Sequence, residues 1–337
     1  MAVTIYHLDE TIMPSGYLAV DFFFALSGFV LVRTYEPRFS TGLSIKQFLR
    51  IRAIRLYPLH IVGIAFGAIF ALQGIVRSTP NHMGSMEFFG SLLFNTLMLP
   101  SPFSSSNLFP INIPAWSLFF EFMANVMMVL LLSRMKTRSL LVIAVIGGMM
   151  ILALTGHSMM QAIPSGENGS PLSGGSTWGT WYDGALRTAF SFIAGMVIAR
   201  LPANAERPER FVALLYAVAL SALLAMPAAG IYRPAFDLLV VVIASPILLL
   251  AASRIEPQAW IAPAAVFCGE ASFALYALHS PLAHAFQFIA RKVGVSSTVI
   301  APAYLATALL TAWLVTRWID VPVRHWVSKR WKQANRA

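Results

Sequence analysis

Asp21 is an acidic residue inside an apolar run that begins near Gly16, and the pair Ser27-Gly28 lies further along the same run. A carboxylate surrounded by lipid is costly, so such a residue usually faces a polar cavity or a buried partner. The run therefore predicts a membrane span that carries part of a polar site.

A basic segment follows this run and ends at Pro58, which opens the next apolar stretch. Arg52 and Arg55 are three residues apart and share one face of a helix. Two guanidinium groups at a membrane surface can bind phosphate oxygens through paired hydrogen bonds. The spacing fits equally well with arginines that only fix the orientation of the chain in the membrane.

A third apolar run opens with Pro114 and carries Trp116, Ser117 and Glu121 near one helical face. Trp116 alone fits an interfacial anchor, which is a common role for tryptophan in membrane proteins. Glu121 lies one to two turns into the run, where an acid needs a partner.

Arg187 stands four residues into a later apolar run. It could extend its side chain outward to water, or pair inside the bundle with Asp21, Glu121 or an anionic ligand. Asp237 lies near the end of another run and is expected to reach water.

Two histidines complete the candidate residues. His279 and Tyr276 share a helix face with Ser272, which predicts that they point into the bundle and bond a neighbour or a ligand. His7 would be a good general base at a membrane-embedded site, because histidine titrates near neutral pH. The alternative is that His7 is an ordinary histidine near the chain terminus.

These residues must be positioned by helices, since 58% of the chain is hydrophobic, 11% is charged and the apolar runs reach the length of a membrane span. We predict one all-α, polytopic membrane domain over residues 1–337. Residues 1–8 would be the end of a truncated first helix, and 319–337 a basic cytoplasmic tail. Nine full transmembrane helices are expected at about 17–35, 58–77, 114–133, 139–156, 183–200, 211–229, 234–252, 264–290 and 298–318.

The segment 86–100 is apolar but short, and it contains Glu87, so it is expected to be a re-entrant or interfacial helix. With that reading, most of the 24 lysines and arginines fall on one side of the membrane, taken as cytoplasmic, and the 157–182 segment becomes the longest outer loop. The net charge of +10 thus reflects orientation and not nucleic-acid binding. A single cysteine, Cys268, excludes an internal disulfide and argues against a cysteine-based metal site; no metal is predicted.

Four segments together resemble the integral-membrane acyltransferase family 3, whose members O-acylate bacterial surface glycans and related molecules. They are Gly16–Val30, with the sequence GYLAVDFFFALSGFV; Arg52–Pro58, with RAIRLYP; Pro114–Glu121, with PAWSLFFE; and Phe267–Pro281, with FCGEASFALYALHSP. Phe273 departs from the tyrosine of the family pattern. The basic residue that the family places ahead of its first histidine would fall before Met1.

The resemblance implies a multi-pass enzyme of the bacterial inner membrane that moves an acyl group, most often acetyl, to a hydroxyl group of a glycan or lipid-linked saccharide. The donor would be acyl-CoA as a co-substrate, with no bound cofactor. It implies His7, Glu121 and Asp21 as catalytic and Arg52 and Arg55 as donor-binding. Further residues would line the site: Ser27, Gly28, Trp116, Ser117, Arg187, Tyr276 and His279.

Without the resemblance, the residues define only a helical membrane protein with a polar site. A transporter or exporter that performs no acyl transfer is then the main alternative. Transporters commonly show internal repeats and helices broken at the membrane midplane. This chain shows no repeat, and its polar residues fall nearer helix ends. A non-catalytic membrane scaffold would require all four of Asp21, Glu121, Arg187 and His279 to be purely structural.

Overall fold

A computed structural model describes residues 1–77, 82–161, 169–202, 207–208, 212–227, 232–256 and 262–334. The helices are α1 (Ala2–Leu8), α2 (Ala19–Ser40), α3 (Ile45–Val76), α4 (Ser85–Thr96), α5 (Ala115–Leu130), α6 (Thr137–Gln161), α7 (Trp181–Arg200), α8 (Val212–Ala225), α9 (Tyr232–Leu238), α10 (Ser245–Ala252), α11 (Ala262–Val293), α12 (Ser297–Val315) and α13 (Val321–Ala334). Single 3₁₀ turns cover Gly16–Leu18, Leu132–Arg134 and Pro171–Ser173. π-helical turns join α9 to α10 and α12 to α13. Two-residue strands β1 (Arg207–Pro208) and β2 (Ile255–Glu256) pair in parallel.

The predicted all-α membrane class is confirmed. Six stretches of the described chain are long and apolar enough to cross a membrane: Gly16–Ser40, Ile45–Val76, Ala115–Arg134, Thr137–Met160, Tyr232–Ala252 and Ser297–Trp331. The count of nine spans stays a prediction. At the other three predicted positions lie α7, which carries Asp183, Arg187 and Arg200, the 32-residue α11 and the 14-residue α8. Residues 211 and 228–229 of the predicted span 211–229 lie outside the described residues.

The sequence predicted that the basic segment ends at Pro58, where an apolar span begins, but helix α3 contains both. It is one helix of 32 residues that passes through Pro58. Its start is a capping box, in which the Ser44 side chain accepts a hydrogen bond from the Gln47 amide and the Gln47 side chain accepts one from the Ser44 amide. Pro58 removes one backbone hydrogen bond, a loss that the long helix tolerates. Arg52 and Arg55 are therefore rigidly attached to a membrane helix.

Helix α4 has 12 residues and reaches about 18 Å, well short of the roughly 30 Å of a bilayer core. That length fits the predicted re-entrant or interfacial helix at 86–100.

Helices α2 and α7 pack backbone against backbone. A Cβ atom on Gly28 would collide with the Phe192 carbonyl oxygen, and one on Gly195 would collide with the Ala25 carbonyl oxygen. Small residues allow such close approach of membrane helices, because tight packing replaces the hydrophobic effect as the driving force. This contact brings the start of α2 and the first turns of α7 side by side.

Two loops meet at one end of the bundle, which we call the outer side following the charge distribution. The Leu108 amide donates to the Ser176 carbonyl oxygen over 2.9 Å, and the Trp178 amide donates to the Ser106 carbonyl oxygen over 2.8 Å. The predicted 157–182 loop begins later than expected, because α6 extends to Gln161. Residues 162–168 of that loop lie outside the described part of the chain.

Candidate active site

A small cavity of about 50 Å³ lies among α1, α2, α5, α7 and α11 near the outer side. Four of the predicted site residues line it: His7, Trp116, Arg187 and Tyr276. Residues from five separate segments thus converge on a single cavity.

A second cavity of about 120 Å³ adjoins the first. Ser117, Glu121 and Tyr276 line it, together with Ser272. Tyr276 lines both cavities, so its phenol ring stands at their boundary.

Asp21 and Arg187 form a buried, bidentate ion pair across the α2–α7 contact. The Arg187 Nε atom donates to Asp21 Oδ1 over 3.0 Å, and Nη2 donates to Asp21 Oδ2 over 2.5 Å. Both side chains are almost completely buried. Of the partners expected for Arg187, the structure therefore selects Asp21. Asp21 does not line either cavity, so it acts on the site through Arg187.

Arg187 keeps donors for a ligand. Its Nη1 atom donates to the Gly174 carbonyl oxygen over 2.7 Å, which makes three bonds in all. A guanidinium group carries five N–H bonds, so two of those on Arg187, which lines the cavity, make no hydrogen bond to any described residue. The guanidinium carbon lies 5.9 Å from the centre of the Trp116 ring.

His7 and His279 are adjacent, with ring centres 4.7 Å apart and ring planes nearly perpendicular. His7 Nδ1 bonds the Val3 carbonyl oxygen over 2.9 Å, and His279 Nδ1 bonds the Tyr276 carbonyl oxygen over 2.6 Å. A carbonyl partner requires the proton on Nδ1, which leaves Nε2 of each ring as a proton acceptor. The buried His279 Nε2 atom has no hydrogen-bond partner among the residues that the structure describes.

Ser117 and Tyr276 join α5 to α11. Their hydroxyl oxygens are 2.5 Å apart, so one hydroxyl donates to the other. Both oxygens also lie near the Pro114 carbonyl oxygen, Ser117 at 3.1 Å and Tyr276 at 3.0 Å. The hydroxyl that does not donate to its neighbour donates to this carbonyl oxygen. Pro114 thus anchors the start of α5 to the site.

Glu121 is bonded to two other predicted residues. Its Oε1 atom accepts from Arg52 Nη2 over 3.1 Å and from the Ser27 hydroxyl over 3.0 Å. Three separate motifs of the sequence therefore meet at one carboxylate oxygen, next to the second cavity.

Arg52 and Arg55 have different carboxylate partners, although they share a helix face. Arg55 lies 3.9 Å from Asp320, which also pairs with Arg324 over 2.6 Å. The Arg55 side chain is 33% exposed and that of Arg52 is 12% exposed. Arg55 is thus the more accessible of the two.

Gly28 was predicted to line the site. The structure places it in the contact with Phe192, and it is not among the described residues that line either cavity. Its placement assists the site indirectly, since that contact sets Asp21 opposite Arg187.

The sequence did not indicate that Tyr17 belongs to the site. Tyr17 lines the first cavity; its hydroxyl donates to Asp237 and accepts from Arg233 Nε over 2.8 Å. The expectation that Asp237 reaches water was wrong, because its side chain is fully buried against these two residues. A tyrosine at the start of an apolar run carries a hydroxyl group that needs a hydrogen-bond partner. The partners of Tyr17 lie over 200 residues away in the chain, so the sequence could not identify them.

Within the residues that the structure describes, no three His, Cys, Asp or Glu side chains are grouped in a way that could hold a metal ion.

Comparison with known proteins gives a family match over residues 2–317, to the acyltransferase 3 model described as an acyltransferase domain. A protein of Rhizobium radiobacter described as protein 2 in the picA locus is 38% identical over 122 residues. That match covers 33% of this chain and 63% of the relative, which is less than two thirds of the relative's length. No solved protein structure matches the chain. Because the family model covers nearly all of the chain, the protein belongs to the acyltransferase 3 family.

Proposed function

We propose that this protein is a membrane O-acyltransferase that moves an acyl group, in the first instance acetyl, from acyl-CoA to a hydroxyl group of a saccharide or lipid-linked glycan. The observation that carries the proposal is the pair of adjoining cavities. One holds a histidine and an arginine with free donors, and the other leads to the Arg52–Glu121 pair. The transporter alternative has no support from the family match.

His7 acts as the general base in this proposal. Its Nε2 atom takes the proton of the acceptor hydroxyl group while the oxygen attacks the thioester carbonyl carbon. The new C–O bond forms, the C–S bond breaks, and the proton passes from His7 to the departing sulfur of CoA. The edge-to-face contact with His279 and the bond to Val3 hold the His7 ring in one orientation.

Arg187 stabilises the negative charge that develops on the carbonyl oxygen. Two of its N–H groups are uncommitted, and its bidentate pair with Asp21 fixes the guanidinium plane before the substrate arrives. Preorganised donors of this kind often supply the largest single contribution to catalysis. Asp21 is therefore a positioning residue, as is Glu121 through Arg52 and Ser27.

The proposed donor route begins on the inner side, where Arg52 and Arg55 project from the first half of α3, and leads past the Arg52–Glu121 pair to the second cavity. The phosphates of CoA would compete with Asp320 and Glu121 for these guanidinium groups. The pairs thus keep buried or half-buried arginines neutralised until the donor binds.

We expect Arg55→Ala to weaken the binding of CoA by about tenfold or more, because each charge-assisted hydrogen bond contributes roughly 1.5–3 kcal/mol. Titration calorimetry of the purified, detergent-solubilised protein with CoA measures this. Arg52→Lys keeps a charge beside Glu121 and tests the planar, paired geometry of the guanidinium.

Lys46→Ala is the matched control, since Lys46 is an exposed cation on the same helix. It should bind CoA as the unchanged protein does. CoA affinity that is the same in Arg55→Ala, Arg52→Lys and the unchanged protein would contradict the donor assignment.

The function itself is tested by incubating membranes that contain the protein with acetyl-CoA labelled in the acetyl group. We expect label in a saccharide or lipid-linked saccharide fraction, in amounts that follow the quantity of protein. If the folded, inserted protein leaves all label in acetyl-CoA, and longer acyl-CoA donors also remain unused, the proposal fails.

A further inference from the structure

An apolar groove of about 430 Å³ lies between the inner half of α3 and the segment that runs from the second π-helical turn into α13. We call it the inner groove. One wall is formed by Ile54, Tyr57 and Ile61 of α3, and the other by Ile319, Val323 and Val327. Tyr57, Ile319 and Val323 are exposed, so the groove opens outward from the bundle, where lipid surrounds the protein.

The groove side of α3 is apolar, although this part of the helix is basic. Arg52 and Arg55 pair with carboxylates that are buried in the bundle, and neither arginine lines the groove. The one polar side chain in the described lining is Tyr57, whose hydroxyl donates to the Thr96 carbonyl oxygen over 2.9 Å. The walls therefore offer a ligand hydrocarbon and aromatic surface.

The length of the inner groove matches one leaflet of a membrane. Its lining on α3 covers residues 53–62, which is about 14 Å at 1.5 Å per residue. Half of a hydrocarbon core of roughly 30 Å is close to this length. Trp326, an exposed residue of α13, lies one residue before Val327 of the groove wall, as expected of a tryptophan near a membrane surface. The dimensions thus fit an acyl chain of an inner-leaflet lipid.

Arg50 stands at the inner end of the groove. It precedes Ile54 by four residues, so it continues the same face of α3. Its guanidinium carbon lies 5.2 Å from the centre of the Trp331 ring, which places the charge between α3 and α13. In the part of the chain that the structure describes, Arg50 pairs with no carboxylate.

Arg330 provides a second cation at this end. It follows Val327 by three residues and therefore shares its face of α13. Its side chain is exposed, and its guanidinium carbon lies 4.4 Å from the centre of the Trp326 ring. Like Arg50, it pairs with no carboxylate of a described residue.

The charge at the inner end of the groove is not neutralised by the two helices that form it. The sequences of α3 and α13 contain no acidic residue. Asp320, which precedes α13, is fully buried and already pairs with Arg55 and Arg324. An apolar groove that ends in unpaired cations is complementary to a molecule with an acyl chain and a negative head group. Basic pockets between membrane helices on the cytoplasmic side bind anionic lipid head groups in this way.

We propose that the inner groove binds one anionic phospholipid of the inner leaflet. Its phosphate contacts Arg50 and Arg330, and one of its acyl chains lies between Ile54 of α3 and Val327 of α13. The bound lipid holds α13 against α3. Among the described residues, none lines both this groove and either cavity of the candidate active site, so the lipid site does not depend on the proposed acyltransferase function.

Native mass spectrometry of the full chain in detergent tests the proposal, because it counts the lipids that stay bound. The probes are phosphatidylglycerol and phosphatidylcholine with the same palmitoyl and oleoyl chains. We expect the unchanged protein to retain one phosphatidylglycerol in preference to phosphatidylcholine. The double change Arg50→Gln and Arg330→Gln should weaken the binding of phosphatidylglycerol by about tenfold to thirtyfold, since each basic residue near a membrane surface attracts anionic lipid. Val327→Trp keeps both charges but fills the groove, and should weaken it comparably.

The matched control is the double change Lys136→Gln and Arg138→Gln, which removes the same charge from exposed residues at the start of α6, also on the inner side. It should leave phosphatidylglycerol binding unchanged. An equal loss in the two double variants would mean a general attraction by inner-side charge and would overturn the site. Equal retention of the two lipids by the unchanged protein, or full binding in Val327→Trp, would also overturn it.

A competition experiment separates this site from the proposed donor site. Excess CoA has phosphates but no acyl chain, and we expect it to leave the bound phosphatidylglycerol in place. One-for-one displacement of the lipid by CoA would assign Arg50 and Arg330 to the donor site and contradict the lipid site. Selective lipid binding by a protein that transfers no acetyl group would contradict the proposed function and leave the lipid site standing.

Discussion

Replacement of His7 by alanine is expected to lower kcat for acetyl transfer by about 10²–10⁴-fold, the usual contribution of a general base. The affinity for CoA should not change, because His7 lines the outer cavity and the proposed donor arginines lie on α3. The bond to Val3 and the contact with His279 leave Nε2 as the proton acceptor, and alanine removes it.

Single-turnover transfer of labelled acetyl measures this effect, in membranes that hold equal amounts of folded protein. The control is His325→Ala, since His325 is an exposed histidine of α13, distant in the chain from either cavity. His279→Ala should cause a smaller loss, because His279 orients the ring of His7 and does not line the cavity. A His7→Ala protein with more than half of the normal rate would contradict the assignment of the base.

Asp21→Asn is expected to destabilise the folded protein by about 3–5 kcal/mol, the cost of leaving a buried charge without its partner. Asparagine keeps the shape of the side chain but leaves the guanidinium of Arg187 buried and uncompensated. The thermal unfolding temperature in detergent and the yield of monodisperse protein measure the loss. Because Arg187 also lines the cavity proposed for catalysis, activity should fall together with stability.

Glu36→Gln is the matched control, because Glu36 pairs with Arg200 between the same two helices but is more exposed. Pairs that water reaches contribute about 1 kcal/mol or less, so this change should have little effect. The variant Arg187→Lys separates charge from geometry, since lysine keeps the charge but loses the paired bonds to Asp21. If Asp21→Asn unfolds at the same temperature as the unchanged protein, the buried pair is not a stabilising contact.

The class of the protein could be read from the sequence because it depends on local properties. A hydrophobic share of 58%, in runs of membrane length, allows only helices that satisfy their own backbone hydrogen bonds. A helix lies at each predicted span within the described residues, and Asp21, Glu121 and Arg187 each have a charged partner. Because an unpaired charge in lipid is costly, each such residue by itself predicts that it has a partner.

Helix ends were predicted less well, since hydropathy does not report them. Helix α3 continues through Pro58 although an interior proline loses one backbone hydrogen bond, and its true start is the capping box at Ser44. Helix α6 likewise runs past the end of its most apolar part to Gln161.

Only the tertiary structure decided which charges pair. Arg187 and Asp21 are 166 residues apart, and Arg52 and Glu121 are 69 apart, so nothing local distinguishes these pairings from others. Close packing at Gly28 and Gly195 sets α2 against α7 and thereby selects the first pair. The burial of Asp237 follows from contacts between distant segments as well. The sequence determined that polar residues had to meet inside the membrane, and the packing of the helices determined where they meet, because partners are selected by distance in space and not along the chain.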